Sequence, residues 1–74
     1  MGNTPILKPS EVCRILEKLG FVNVRQRGSH IQYRLSDGRC TTVPMHKCRD
    51  IAAPLLRQIA RDIDLTVDEF IAQR

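Results

Sequence analysis

A histidine among arginines marks the run Arg25-Gln26-Arg27-Gly28-Ser29-His30-Ile31-Gln32-Tyr33-Arg34. An imidazole titrates near neutrality, and nearby cations attract phosphate, so the grouping suits proton transfer at a phosphodiester. The plainer reading of His30 is a surface histidine at the start of a strand. Gly28 supports either a turn with positive φ or close backbone approach to a phosphate, with the amides of Ser29 and His30 directed at it. Ser29 is a candidate donor to a phosphate oxygen or a cap of the same turn. It is a poor nucleophile candidate, because no base and orienting acid are evident beside it. Arg25, Arg27, Arg34 and Arg39 are candidate phosphate clamps; individually, each serves solubility equally well.

Strict polar–apolar alternation places this chemistry. In a strand from His30 to Leu35, His30, Gln32 and Arg34 share one face, and Ile31, Tyr33 and Leu35 share the other. The apolar set belongs in the core, and Tyr33 is read as packing rather than as a platform for base stacking. His30, His46, Cys40 and Cys48 invite a zinc reading, but His46-Lys47-Cys48 lacks CxxC spacing and no second pair completes four ligands. No metal and no cofactor are therefore expected, and His46 stays a second titrating group on the loop after the strands.

Charge supports a polyanion partner. The net charge is +4 over 74 residues. Between Arg25 and Arg49 six basic residues (Arg25, Arg27, Arg34, Arg39, Lys47, Arg49) face one acid, Asp37, for a net +5. From Ile51 onward the balance is −1. A basic stretch of this kind is the footprint of a nucleic-acid binder, or else a solvated surface. No apolar run of about 18 residues is present, so no membrane association is expected. The N-terminus lacks a signal-peptide pattern, and Ile6 stands where a myristoylation motif wants Ser or Thr. Three cysteines without paired spacing indicate reduced thiols and a cytoplasmic setting.

The elements that position these residues form one domain spanning residues 1–74, with residues 1–7 read as a loose leader. Pro9 and Glu11 suit a helix start; Val12, Ile15, Leu16 and Leu19 form one apolar stripe, and Gly20 closes the helix. Strands follow over residues 21–27, 30–35 and 40–43. They are joined by Gly28-Ser29 and by Asp37-Gly38, and Pro44 ends the last. Pro54 opens a second helix with Leu55, Leu56, Ile59, Ala60 and Ile63 on its apolar face. Thr66-Val67-Asp68-Glu69 is a capping box for a short last helix. The order α-β-β-β-α predicts an α+β fold: a three-stranded antiparallel sheet with helices on one face and the other open to solvent.

Taken in order, these residues resemble a known family. Lys8-Pro9-x-Glu11-Val12, Leu19-Gly20-Phe21, Arg27-Gly28-Ser29-His30, Tyr33-Arg34, Asp37-Gly38-Arg39, Thr42-Val43-Pro44 with His46, Leu56-Arg57-x-Ile59 and Asp68-Glu69-Phe70 look like the HicA (YcfA-like) toxins of toxin-antitoxin systems. The resemblance implies a fold like the double-stranded RNA-binding domain. It also implies a metal-independent endoribonuclease (an mRNA interferase) that cleaves mRNA and stops translation, with His30 essential. The implied partner is a HicB-type antitoxin, encoded alongside, that covers the histidine in a toxin-antitoxin hetero-oligomer. Many relatives carry a second histidine where Ile31 stands, and a glycine where Asp64 stands. A non-catalytic RNA-binding module of the same fold is the other reading; it predicts the same basic face without needing His30.

Overall fold

A computed structural model describes residues 6–45 and 49–74. Helix α1 spans Pro9–Lys18, strands β1, β2 and β3 span Val22–Arg27, His30–Arg34 and Cys40–Pro44, and helices α2 and α3 span Ala53–Asp62 and Val67–Ile71. The strands form an antiparallel sheet in the order β1-β2-β3. This is the α-β-β-β-α fold that the sequence predicts. His46, Lys47 and Cys48, and with them the reading of His46, lie outside the described residues.

The two faces of the sheet differ sharply. Ile31, Tyr33, Thr41 and Val43 are buried, whereas His30, Arg34, Cys40 and Thr42 are exposed. Helices α1 and α2 cover the first face with Val12, Ile15, Leu16, Leu56, Ile59 and Ala60. Tyr33 is 2% exposed, and its hydroxyl donates to Glu17 Oε2 at 2.9 Å. Burial first, then the bonds to Cys13 and Glu17, push its phenol pKa far up, so it stays protonated. Thr41 donates to Asp62 Oδ2 at 3.0 Å, tying β3 to the end of α2. The Thr66 capping box forms as the sequence predicts: Glu69 N donates to Thr66 Oγ1 at 3.1 Å, and Thr66 N to Glu69 Oε1 at 2.8 Å.

One expectation needs correcting. Leu7, placed above in a loose leader, is 1% exposed and belongs to the core. Its backbone bridges Ile51, whose amide donates to the Leu7 carbonyl at 2.7 Å. A single bridge has no periodicity, and this is why the sequence pattern hides it.

Both main helices end in the same hydrogen-bond motif. After α1, Phe21 N donates to Leu16 O at 2.9 Å and Gly20 N to Glu17 O at 3.0 Å. After α2, Leu65 N donates to Ala60 O at 2.9 Å and Asp64 N to Arg61 O at 3.0 Å. Each motif needs a left-handed residue, supplied by Gly20 at φ 100° and by Asp64 at φ 65°. Asp64 carries a Cβ in that conformation, which a glycine avoids. Asp64→Gly is therefore expected to stabilise the fold by about 0.5–1 kcal/mol. The matching rise in Tm is about 2–8 °C, read by thermal melting; an unchanged or lower Tm would refute the strain.

Candidate active site

The hairpin Arg27-Gly28-Ser29-His30 builds the site. Arg27 pairs with His30 across a two-residue turn. Gly28 takes φ 58° and Ser29 does not share the positive φ, the pattern of a tight hairpin with glycine first. A Cβ at Gly28 would meet nothing within 4 Å, so backbone conformation, not crowding, calls for glycine. Gln26 Nε2 donates to Gly28 O at 3.3 Å, and Met45 N to Ser29 O at 2.5 Å, holding the turn from two sides.

Directly opposed residues of antiparallel strands share a face. The register therefore lays three rows across the open side of the sheet: Arg27–His30–Pro44, Arg25–Gln32–Thr42 and Val22–Arg34–Cys40. Neighbouring strands lie about 4.8 Å apart and successive rows about 6.8 Å apart. A regular β1 would put Val22 on the side away from Arg25 and Arg27. A bulge between Asn23 and Arg25 inserts Val24 and changes the alternation, so Val22 joins both arginines on the face of His30.

The first two rows enclose a shallow groove of about 190 Å³ lined by Arg25, Arg27, His30, Gln32 and Thr42. It joins a titratable ring, two cations and two neutral hydrogen-bonding groups. Gln32 and Thr42 join the site through the sheet. Gln32 shares the parity of His30, but Thr42 comes beside it only through the β2–β3 register.

Arg34 lies on the same face, in the third row. Arg39 is elsewhere. Its backbone carbonyl accepts from Leu35 N, at the other end of β2 from His30, about 17 Å away by strand rise. Its guanidinium bonds Asp37 Oδ2 at 2.8 Å and Ile63 O at 2.6 Å and lies 5.9 Å from the Phe21 ring centroid. The Arg39 backbone amide, then its guanidinium, hold the Asp37 carboxyl below its usual range. The side chain of Arg39 thus braces the end of α2 against the β2–β3 turn.

Ile31 is buried on the face opposite His30. A residue at that position does not line the groove, so the departure at Ile31 removes nothing from it. Among the described residues no three His, Cys, Asp or Glu side chains gather as a metal-ligand set, and no helix is long and apolar enough to cross a membrane.

A family model described as the HicA toxin of bacterial toxin-antitoxin systems matches residues 9–65, which include every element from α1 to α2 and the whole groove. No curated protein matches the chain.

Proposed function

The chain belongs to the HicA toxin family, which makes it a toxin of a toxin-antitoxin system with a cognate antitoxin as its partner, and we propose that it acts as a metal-independent endoribonuclease on mRNA, arresting translation in the cytoplasm. The observation that carries this reading is the groove in which His30 stands beside Arg27, with Arg25 in the adjoining row. His30 takes the proton of an RNA 2′-hydroxyl, and the 2′ oxygen attacks the adjacent phosphorus. The bond from phosphorus to the 5′ oxygen breaks, and the imidazolium returns a proton to that oxygen. The products are a 2′,3′-cyclic phosphate and a free 5′-hydroxyl. Arg25 and Arg27 counter the charge that develops on the phosphoryl oxygens. The amides of the Gly28-Ser29 turn and Arg34 hold neighbouring phosphates. Arg39, with its guanidinium engaged elsewhere, has the weakest claim to RNA.

The direct test incubates RNA with the purified chain in the presence of a chelator and identifies the product ends. Cyclic phosphate and 5′-hydroxyl termini are expected. Products with 5′-phosphates, or activity lost on chelation, would sink the mechanism.

Binding should also depend steeply on salt, because arginines displace counterions from the phosphates. Three contacts by Arg25, Arg27 and Arg34 give a slope of about −2 in log affinity against log salt on single-stranded RNA. Replacing Arg25 and Arg27 with Gln is expected to flatten it by about 1.4. Titrations at several salt concentrations measure this; a salt-independent affinity would count against the groove as the RNA site.

A further inference from the structure

Strand β1 differs from its neighbours in that none of its six residues is buried. Helices α1 and α2 pack chiefly against β3, and they leave every residue of β1 exposed. Val22 and Val24 are 60% and 54% exposed, two of the three large apolar side chains so exposed among the described residues. β1 is also an edge strand, so the backbone N–H and C=O groups along its outer side pair with no strand among the described residues.

Edge strands are commonly blunted against unwanted pairing by charges and bulges. β1 has both, in Arg25, Arg27 and the bulge at Val24. These features discriminate among partners. A second copy of the chain would bring the same arginines into the neighbourhood of Arg25 and Arg27. A strand bearing carboxylates meets them with opposite charge. The other edge, β3, ends in Pro44, which has no N–H to offer, and buries two of its five side chains.

We propose that β1 is the docking edge for the cognate antitoxin, which adds an extended acidic and apolar segment to the sheet as a fourth strand. Its apolar side chains lie on Val22 and Val24, and its carboxylates meet Arg25 and Arg27. Those two arginines also line the His30 groove. Carboxylates held there exclude phosphates from it, so one contact both binds the partner and silences the site. The proposal rests on the antitoxin partnership and specifies how that partner reaches the groove; it does not rest on the chemistry of His30.

The test uses the full chain and the antitoxin produced from the adjacent reading frame, with no RNA present. On complex formation, amide hydrogen exchange is expected to slow at the outward-facing N–H groups of β1. The double variant Val22→Asp with Val24→Asp puts like charge in the partner's path and is expected to bind about 100-fold more weakly. Both positions are exposed, so circular dichroism should show an unchanged fold. The proposal is overturned if β1 amides exchange equally fast free and bound, or if the folded double variant binds as tightly as wild type. A homodimer of the chain alone paired through β1 overturns it as well, because the edge then has another occupant. Since binding is read without RNA, protected β1 amides in a protein that cuts no RNA support this proposal and remove only the ribonuclease reading. Unprotected β1 amides in an active ribonuclease do the reverse.

Discussion

His30→Ala is expected to abolish RNA cleavage and growth arrest while leaving the fold and most RNA binding in place. His30 is exposed at the start of β2, so truncation opens no cavity, and surface changes of this kind usually stay within about 0.5 kcal/mol. RNA affinity is distributed over Arg25, Arg27, Arg34 and the turn amides, so losing one ring removes little of it. Among the described residues no other imidazole lines the groove, and general acid–base catalysis is typically worth about 10²–10⁴-fold in rate. The check compares initial cleavage rates, RNA affinity and circular dichroism for wild type and variant, alongside growth after induced expression. A folded variant that cuts at the wild-type rate would end the catalytic role of His30 and favour a non-catalytic RNA-binding module.

Leu7→Ala is expected to cost as much stability as truncating a core residue within the regular elements. The side chain is 1% exposed within the core, and truncating a buried leucine typically costs about 2–5 kcal/mol. Total stability for a chain of this size is on the order of 4–11 kcal/mol, so the loss takes a large share of it. Urea unfolding should show a lower midpoint with an unchanged slope. A shift below about 0.5 kcal/mol, the size expected of a surface position, would mean that Leu7 contributes nothing to the core.

The contrast between these residues shows where sequence reading succeeds. Helices α1 and α2 were legible because their apolar stripes repeat over about two turns, and α3 because Thr66 and Glu69 sit at capping-box spacing. The adjacency of Arg27 and His30 followed from a two-residue turn, and that of Gln32 from strand parity. Leu7 was hidden because one bridge to Ile51 leaves no pattern around it. Charge alone groups Arg39 with the other arginines. Its bond to Ile63 O spans 24 residues of sequence, and only packing of α2 beside the β2–β3 turn reveals it. Thr42 needed the β2–β3 register, and the placement of Val22 with the arginines needed the bulge.

That bulge works as an expansion joint. Alternation along a strand is a two-step reading frame, and β1 is read from two fixed ends: the close of α1 at Gly20 and the Gly28-Ser29 turn. The two frames disagree by one residue, and Val24 takes up the difference. Counting backward from the turn locks Arg27 to His30 and Arg25 to Gln32 whatever happens upstream. A residue gained or lost between Gly20 and Val24 therefore alters the joint and not the groove. Segment length in this toxin can drift on the helix side while the arginines and the histidine keep their alignment.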